Sequence, residues 1–541
     1  MTPFTKVRTS DVSALAVVLG LTAFYGWAYV DFGLPPLEDA AILMRYARNI
    51  AAGHGIVWNT GEPPVDGATD FLFVVAVGLL HRIGLSLEAS VLSLTVGAHL
   101  ATVALVYAGL RFQGAGALVA GASALYVGVG PGLSLSAAYF GATFFAATLV
   151  VAWLLGQRIV LGQHRSWGDC IAFALAALVA ALVRPEGAWM ALFMTAGLCV
   201  ALPVAAAARL ALAVAAVLLP LGGGYFLWRW DYFGHPLPNP FYRRGHWRFR
   251  PDAWRLSLGH ARRLCFPFFL AYLPGLLSRR TVRLTLAFTF PIAAFATVWG
   301  LFSNDMNWSG RYQYPLLPLA ALSWYPLVSA LPRELGLSSI IRGRRWLRVA
   351  AGLACTLAVL ILLLSRLDAS RRIVRVREGN YDMGLMLHRF AERGHALATT
   401  EAGLLPLYSG WRTLDAWGLN DSTIAGRGYL SPDDLDRYRP AVVMWHVAQS
   451  LHAAPASGQM AAWAAMLETL QKYVDAHGYV LAAAFGAHQG ELHYYYVAPD
   501  VPDCAELVES IRRLPYPWPR GGALAKDFAA GQPTRACARQ L

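Results

Sequence analysis

Long apolar runs alternate with short polar connections over the first two thirds of the chain. A helix that crosses a bilayer needs about 20 consecutive apolar residues. Windows of this kind lie near 12–30, 70–83, 90–110, 114–130, 135–155, 169–183, 187–203, 207–230, 264–277, 283–303, 313–331 and 347–365. The pattern predicts an α-helical polytopic membrane protein, and we expect about 11 true transmembrane helices.

Positive charges predict the orientation, because Lys and Arg accumulate in cytoplasmic loops. Lys6 and Arg8 place the N-terminus inside, and the basic run 332–348 is the clearest inside loop. Counting back from that loop gives outside segments at 31–70, 184–186, 231–263, 303–312 and beyond about 366. Three crossings between 70 and 131 would break this alternation, so window 70–83 or window 114–130 should not cross fully. The first apolar run has no small-residue cleavage site after it and is predicted to remain as a helix.

The character of the chain changes after residue 366. Segments 440–446 and 492–498 are rich in strand-forming residues, and 456–477 has helical periodicity with Trp463, Met466, Leu467 and Leu470 on one face. Strands that alternate with a helix predict an α/β unit. We therefore expect a transmembrane catalytic domain at 1–365 and an extracytoplasmic α/β domain at 366–541, with an irregular Pro/Gly-rich end from about 515.

Composition narrows the possible partners. The 541 residues are 57% hydrophobic and only 14% charged, with a formal net charge of +13. In such an apolar chain the excess of Lys and Arg fits cytoplasmic loops and anionic lipid headgroups, so the bilayer is expected as a partner and nucleic acid is not. The six cysteines show no metal-binding spacing, and Cys504 and Cys537 could form a disulfide if the tail lies in an oxidising compartment.

The first outside loop, 31–70, carries the strongest chemical signal. Glu38 and Asp39 stand side by side at the membrane boundary, where carboxylates can act as a general base, bind a divalent cation or cap a helix. The stretch 39–50 is predicted to form a short amphipathic helix lying at the interface. The loop also offers polar candidates for substrate or phosphate binding, namely Arg45, Asn59, Glu62 and Asp66.

The other outside segments add cations and polar groups on the same side of the membrane. The turn 184–187 holds Arg184 and Glu186, the aromatic and Pro-rich stretch 228–248 holds His235, Asn239, Arg243 and Arg244, and segment 303–312 holds Asp305 and Arg311. Plain ion pairs, Arg184 with Glu186 and Asp305 with Arg311, are the alternative explanation. Converging acids and arginines suit a transferase that uses a lipid-linked phosphate donor, since a carboxylate can deprotonate an acceptor and arginines can hold phosphate.

These segments together resemble the GT-C superfamily of membrane glycosyltransferases. The resemblance rests on 38–49 with Gly53-His54-Gly55, Asn59 and Gly61-Glu62, on Arg184-Pro185-Glu186-Gly187, on Tyr232-Phe233-Gly234 with Leu237-Pro238-Asn239 and Phe241-Tyr242, and on Asp305 with Arg311-Tyr312 and Pro315. In the tail, 399–403 and Leu414-Asp415 with Gly418-Leu419-Asn420 resemble the soluble domain of the arabinosyltransferase branch. The nearest resemblance is to mycobacterial terminal arabinofuranosyltransferases.

The resemblance implies a GT-C fold and an inverting transfer of a sugar, arabinofuranose first, from a polyprenyl-phosphate donor to a glycan, lipid or protein acceptor. It implies that Asp39 is the catalytic acid–base residue and Glu38 its partner, with Arg45, Arg184, Arg244 and Arg311 on the donor phosphate. Asn59, Glu62, Asp66, His235, Asn239 and Asp305 are expected to bind substrate. The reaction is expected to be metal-independent or weakly metal-dependent, and the first-loop acids could bind a divalent cation. The site should face the periplasm or exterior of a bacterial inner membrane.

The sequence departs from the family pattern in three places, and three alternative functions stay open. Glu38 stands where relatives often have Asp, segment 140–143 lacks the family's Glu, and segment 67–69 lacks its aromatic residue. A mannosyl- or other hexosyltransferase of the same fold is the first alternative. A lipid or solute transporter would place its charges near the bilayer midplane in repeated halves, which this sequence does not do. A purely structural membrane protein would leave the first-loop acids unexplained.

Overall fold

The computed structural model describes residues 9–162, 165–244, 249–276, 281–302, 304, 306–334, 364, 379–447, 457–486, 492–517, 525–526 and 537. Within these residues, six helices are long and apolar enough to cross a membrane: Thr9–Tyr29, Leu87–Phe112, Ala117–Ala137, Ala142–Leu161, Val204–Phe233 and Val282–Leu301. Shorter apolar helices are Phe71–Arg82, Trp167–Val183, Glu186–Ala201 and Leu316–Ser329. The predicted class of polytopic helical protein is confirmed. The expected span 347–365 lies outside the described residues except for Leu364.

The helices of the membrane region begin and end close to the apolar windows. They are α1 (Thr9–Tyr29), α2 (Glu38–Ala51), α3 (Phe71–Arg82), α4 (Leu87–Phe112), α5 (Ala117–Gly128), α6 (Pro131–Ala137), α7 (Ala142–Leu161), α8 (Trp167–Val183), α9 (Glu186–Ala201), α10 (Val204–Val217), α11 (Gly223–Phe233), α12 (Asn239–Arg244), α13 (Pro251–Phe269), α14 (Tyr272–Leu276), α15 (Val282–Val298) and α16 (Leu316–Glu334). A π-helical turn at Leu218–Gly222 joins α10 to α11, and 3₁₀ turns occupy Trp299–Leu301 and Trp308–Gly310.

The predicted span at 135–155 is wrong at its start. Helix α5 leads through Gly130, whose φ is +139°, into α6, which has Pro131 in its first turn. Proline is well suited to that position because its missing N–H is not needed there. The chain then turns at Tyr139, with φ +66°, before α7 begins at Ala142. This turn brings Phe140 and Gly141 to the outer loops, where they contact charged residues.

Helix α3 supports the expectation that one early window does not cross the bilayer alone. It has 12 residues, which at 1.5 Å per residue span about 18 Å. The hydrocarbon core is about 30 Å thick. Window 264–277 also differs from the prediction, because α13 already begins at Pro251 and the apolar window covers only its second half and α14.

The C-terminal region forms the predicted α/β unit around one mixed sheet. Its strands are β1 (Ala396–Thr399), β2 (Arg412–Asp415), β3 (Val442–His446), β4 (Val480–Phe485), β5 (His493–Val497) and β6 (Ala525–Lys526), in the order β2-β1-β3-β5-β4-β6. Strands β2, β1 and β3 run parallel, while β5 pairs antiparallel with both β3 and β4. The helices are α17 (Gly379–His388), α18 (Leu404–Ser409), α19 (Ser422–Arg427), α20 (Pro432–Tyr438), α21 (Ser457–Ala476) and α22 (Cys504–Arg513).

The sequence predicted β3, β5 and α21 within one or two residues, but it missed β1, β2, β4 and β6. Strands β1 and β4 are buried on nearly every residue, with Ala at several positions, so they lack the alternation that identifies a half-buried strand. The pairing of Cys504 with Cys537, which the sequence left open, is present as a disulfide that joins the start of α22 to the C-terminal end of the chain.

Candidate active site

The acid pair occupies the first turn of α2. Leu37 is the N-cap residue and provides no side-chain cap, and Glu38 and Asp39 follow it directly. Asp39 forms an ion pair with Arg311, which precedes α16. The arginine side chain is 7% exposed and the aspartate side chain 25% exposed. The carboxylate of Asp39 is therefore anchored by a buried cation while part of it remains open to a reactant.

Arg311 is held in place by aromatic side chains. Its guanidinium lies 4.1 Å from the ring centre of Phe140 and also donates to the hydroxyl of Tyr312 at 3.1 Å. The Nε atom is buried and makes no hydrogen bond within the described part of the chain. A guanidinium that stacks on a ring and points one edge at a carboxylate is well placed to bind an anion beside that carboxylate.

A second group of charges lies next to the first. Arg184 contacts Asp70 at 3.3 Å and Glu186 at 3.0 Å, so the predicted pair of Arg184 with Glu186 exists and Asp70 joins it. Burial raises the pKa of Asp70, and the charges of Arg184 and Arg311 oppose that shift. Asp70 therefore lies within electrostatic reach of both arginines. Gly141 packs so close that a Cβ there would come within 3.0 Å of the Asp70 carboxylate.

The predicted substrate-binding residues Asp66, His235 and Asn239 come together in a third group. The backbone N–H of Asn239 donates to the carbonyl of Asp66 at 2.9 Å, and Arg229 donates to the Asp66 carboxylate at 2.5 Å. One polar atom of each residue, Oδ2 of Asp66, Nε2 of His235 and Nδ2 of Asn239, is buried without a hydrogen bond to the described residues. Such atoms are costly unless a ligand or water satisfies them. This group can therefore bind a polar substrate.

The C-terminal unit packs directly on the first loop and contacts Glu38. Glu38 accepts from the backbone N–H of Leu404 and from the side-chain amide of Asn380 at 3.3 Å. Gly403 lies so close to Glu38 that any β-carbon there would overlap its backbone oxygen. Glu38 thus attaches the α/β unit to the start of α2. Because Asp39 is the next residue in the chain, this attachment also fixes the backbone position of Asp39.

Three predicted ligand-binding residues hold this interface together. Arg45 donates to the carbonyls of Trp58, Pro406 and Trp411 and to Asn59 Oδ1, at 2.6 to 3.0 Å. Burial lowers the pKa of Arg45 to about 9, so it stays charged at neutral pH. These N–H groups are used by the protein and give Arg45 a role in the interface, and its binding of the donor phosphate stays a prediction.

Asn59 and Glu62, whose role in substrate binding stays a prediction, also have partners in the α/β unit. Asn59 accepts from the backbone N–H of Thr413 at 2.9 Å and donates to Glu62 at 2.8 Å. Glu62 also accepts from Arg412 at 2.6 Å and from Tyr438 at 3.0 Å. Their polar groups face the α/β unit, so they position the loop. The sequence could not separate these roles because it does not tell which surface the loop contacts.

Helix α2 is also more buried than an interfacial helix would be. Ala40, Ala41, Met44, Tyr46 and Ala47 are each at most 1% exposed. The helix packs between α3 and α18, and its place at the membrane interface stays a prediction. Its polar face, which suggested contact with headgroups, contacts the α/β unit through Arg45 and Arg48.

Two predicted residues cannot be placed. Asp305 lies outside the described residues, and of Arg244 only the helical backbone is described. Its neighbour Arg243 donates to the carbonyl of Gly428 at 2.5 Å and lies 4.0 Å from the ring centre of Trp417. Residues that sequence reasoning did not select are Asp70, Arg229 and Asn380. Asp70 ends the first loop and could have been chosen by that position, whereas Asn380 carries no local signal.

One group of side chains in the described part of the chain could hold a metal ion. Glu401, His446 and His493 each offer a ligand atom, and these atoms lie within 4.8 Å of one another. The group belongs to the α/β unit and does not include Glu38 or Asp39, where a cation was expected.

The fold, with an acid pair on the first loop and an α/β unit packed on that loop, defines a class of membrane protein that comparisons with solved structures identify. ArnT from Cupriavidus metallidurans in the apo state matches with a TM-score of 0.57 at 14% identity, covering 90% of this chain and 98% of ArnT. The same protein bound to undecaprenyl phosphate matches with a TM-score of 0.54 at 12% identity, over 90% and 98% of the two chains.

The archaeal oligosaccharyltransferase AglB from Archaeoglobus fulgidus, in complex with an inhibitory peptide and a dolichol-phosphate, matches with a TM-score of 0.51 at 12% identity. It is covered to 75%, and this chain to 91%. The chain therefore has the GT-C glycosyltransferase fold and is a multi-pass membrane protein. A domain of unknown function (DUF8728) matches residues 371–498. No curated protein matches the chain.

Proposed function

We propose that this protein is a membrane glycosyltransferase that moves a sugar from a polyprenyl-phosphate donor to an acceptor hydroxyl. The observation that carries the proposal is the partly exposed carboxylate of Asp39, paired with the buried Arg311. Among the solved structures of this fold, ArnT is bound to undecaprenyl phosphate and AglB is in complex with a dolichol-phosphate. A lipid-linked phosphate is therefore the first class of donor to test.

The proposed reaction is a single displacement. Asp39 takes the proton of the acceptor hydroxyl as the new bond between that oxygen and the anomeric carbon forms. The bond between the anomeric carbon and the phosphate oxygen breaks, and the phosphate leaves with the electron pair. Attack from the face opposite the phosphate inverts the anomeric configuration. Arg311 keeps Asp39 oriented and ionised for this proton transfer, because a cation favours the charged carboxylate.

The donor phosphate is assigned to the arginines beside the acids. Arg311 and Arg184 both interact electrostatically with Asp70. One guanidinium group can bind two oxygens of a phosphate through two parallel hydrogen bonds. Together the two arginines would balance the negative charge that develops on the leaving phosphate. Arg244 and Asp305 stay in the proposal as a donor-binding and a substrate-binding residue on the grounds of sequence alone.

Sugar and polar acceptor groups are assigned to Asp66, His235 and Asn239. Their unsatisfied buried atoms offer both acceptors and donors to hydroxyl groups. Arabinofuranose is the first sugar to test, because of the sequence resemblance, and mannose or another hexose is the second. The acceptor is proposed to be a glycan, lipid or protein outside the cytoplasm, reached from the periplasmic side of a bacterial inner membrane. The disulfide of Cys504 with Cys537 is in keeping with that side.

A divalent cation at the first-loop acids stays a prediction. The carboxylate of Asp39 already contacts Arg311, and that of Glu38 already accepts from the N–H of Leu404. A cation would have to bind these carboxylates in addition to their present partners. The proposed displacement uses the arginines for the phosphate charge and does not require the ion. The transporter alternative is disfavoured, because Asp39, Asp70, Arg184 and Arg311 lie at the ends of helices, and Asp39 lies beside Glu38, which contacts the α/β unit.

The test is a donor panel. The purified full-length protein, reconstituted in lipid nanodiscs, is incubated with polyprenyl-phosphate arabinofuranose, mannose, glucose and aminoarabinose, each with a short glycan acceptor. We expect release of polyprenyl phosphate and transfer with at least one donor. Nucleotide sugars serve as the control class and should give no transfer. If a folded protein uses none of the lipid donors, or uses a nucleotide sugar, the proposal fails.

A further inference from the structure

The loop that contacts Glu38 begins at a cluster of metal-binding side chains. Glu401 follows β1, His446 ends β3 and His493 begins β5. The two histidines face each other as a cross-strand pair, with ring centres 4.5 Å apart. Glu401 lies 3.2 Å from Nδ1 of His446. Ligands of one tetrahedral zinc ion are about 3.3 Å apart, given bonds of about 2.0 Å, so this spacing suits a shared ion as well as a hydrogen bond.

The surroundings of the two histidines fit metal ligation. Nδ1 of His493 contacts the hydroxyl of Tyr516 at 2.6 Å, and such a contact fixes the ring so that the opposite nitrogen can serve as the ligand. The ligand atom of His446 would be Nδ1, which lies 3.2 Å from Glu401, while its Nε2 is buried and makes no hydrogen bond with the described residues.

The cluster is joined to the proposed active site by a chain of hydrogen bonds. Tyr516 donates from its hydroxyl to Asn380, and Asn380 donates from its amide to Glu38. On the other side, the turn that carries Glu401 continues through Gly403 to Leu404, whose N–H donates to Glu38. The cluster is therefore linked to both hydrogen-bond donors of Glu38, the amide of Asn380 and the N–H of Leu404. A structural change in the cluster would be transmitted to the start of α2.

We propose that Glu401, His446 and His493 form a binding site for one Zn²⁺ or similar divalent transition metal, which fastens the turn after β1 to strands β3 and β5. Two imidazoles and one carboxylate are a ligand set that zinc accepts, with a fourth position left for water. The site itself is independent of the proposed function. Only its effect on Glu38, and through it on Asp39, rests on the glycosyltransferase assignment.

Metal content of the full-length protein is the direct test. After incubation with zinc and removal of excess, we expect about one zinc ion per chain in the wild type. His446→Ala and Glu401→Ala should bind at least about tenfold less, as expected when a ligand is lost. His477→Ala is the matched control, since His477 is half-exposed on the same α/β unit, and it should bind as the wild type does.

Cobalt and thermal unfolding give readouts that do not depend on glycosyl transfer. Cobalt bound in place of zinc should show the visible absorption of a tetrahedral site in the wild type and not in His446→Ala. A chelator should lower the unfolding temperature of the wild type and of His477→Ala. If the variants do not fold, chelation of the wild type followed by calorimetric titration with zinc replaces them. The metal site would be refuted if the wild type bound much less than one zinc ion per chain, or if His446→Ala and Glu401→Ala bound as much zinc as the wild type. Either result would leave the transferase proposal standing.

Discussion

Arg45 shows how the surroundings of a residue can give it a role that its sequence context does not indicate. Its sequence context, six positions after Asp39 on the first loop, suggested a phosphate ligand. In the structure it donates to the carbonyls of Trp58, Pro406 and Trp411 and joins the first loop to α18 and β2. A guanidinium is suited to this position because it offers five donors in a fixed plane, whereas the ammonium of lysine cannot reach three separated carbonyls.

Arg45→Lys should therefore reduce stability more than donor affinity. Each lost hydrogen bond to a charged donor costs about 1.5–3 kcal/mol, and the freed carbonyls remain buried, so we expect at least about 2 kcal/mol of destabilisation. Thermal unfolding of the purified protein measures this change. Arg48→Lys is the control on the same helix, because Arg48 donates to the carbonyl of Leu407 and lysine can replace that donor. A normal unfolding temperature with a raised KM for donor would support Arg45 as a phosphate ligand.

At the scale of elements, the contact between the start of α18 and the start of α2 organises the acid pair. Gly403 precedes α18 and lies against Glu38 with no room for a side chain. The turn thereby brings the N–H of Leu404 to the Glu38 carboxylate. Helix α2 is then fixed from one side by α3 and from the other by α18. The position of Asp39 is fixed as well, because it lies in the first turn of α2.

Gly403→Ala should separate these two elements. The added β-carbon would overlap the backbone of Glu38, and relief requires the turn or the helix to move. Overpacking of this kind costs about 1–3 kcal/mol, and we expect a loss of transfer activity larger than the loss of stability. Gly426→Ala is the control, since a β-carbon at Gly426 would meet nothing within 4 Å. Unchanged activity in Gly403→Ala would contradict the role of this contact.

The sequence predicted this level of structure unevenly, for physical reasons. Helices in lipid need long apolar runs, so most spans and the loops between them could be read directly. Helix α2 was predicted, yet its burial was not, because the pattern of polar residues is the same whether the polar face meets headgroups or another part of the chain. Asp39 and Arg311 could be selected separately, but only the fold brings residues 272 positions apart into one ion pair. The contact of Asn380 with Glu38 depends on how α17 packs, and the cluster of Glu401, His446 and His493 depends on the register of β3 with β5. The sequence alone shows neither.

At the scale of the whole molecule, the α/β unit is structurally joined to the first loop of the membrane region. It contacts the first loop along β2 and the following turn, where Trp58 donates to the carbonyl of Thr413 and Tyr46 to the side chain of Asn420. Glu62 adds charged contacts with Arg412 and a hydrogen bond from Tyr438. The unit and the membrane helices should therefore unfold together.

The contacts of Glu62 predict a pH dependence of this interface. Burial alone would raise its pKa, but hydrogen bonds from Asn59, Arg412 and Tyr438 outweigh burial and lower the pKa below the ordinary 4.5. A lowered folded-state pKa gives stability that is present above about pH 4.5 and is lost as the pH falls through the folded value. Glu62→Gln should thus lower the unfolding temperature at neutral pH, and the difference from the wild type should shrink in acid. Glu468→Gln, at an exposed site on α21, should show no such difference. A constant difference at all pH values would contradict this account.

Membrane topology is a second prediction for the whole molecule. A cysteine introduced at the exposed His54 of the first loop should react with a membrane-impermeant maleimide added outside intact cells. A cysteine at the exposed Gly168, which begins α8 near the basic residues Arg158 and Arg165, should react only after the cells are permeabilised. Outside labelling of Gly168→Cys together with protection of His54→Cys would place the acid pair in the cytoplasm and refute the proposed orientation.

The most direct test of the central claim is the transfer rate of Asp39→Asn, measured in nanodiscs with a lipid-linked donor that the wild type uses. The amide keeps the shape of the side chain and can still accept from Arg311, but it cannot take a proton. We predict a fall in kcat of about 10²–10⁴-fold, with donor binding and unfolding temperature near those of the wild type. Asp252→Asn, which removes an exposed carboxylate paired with Arg250, should retain activity. Transfer by Asp39→Asn at the wild-type rate would show that Asp39 is not the base.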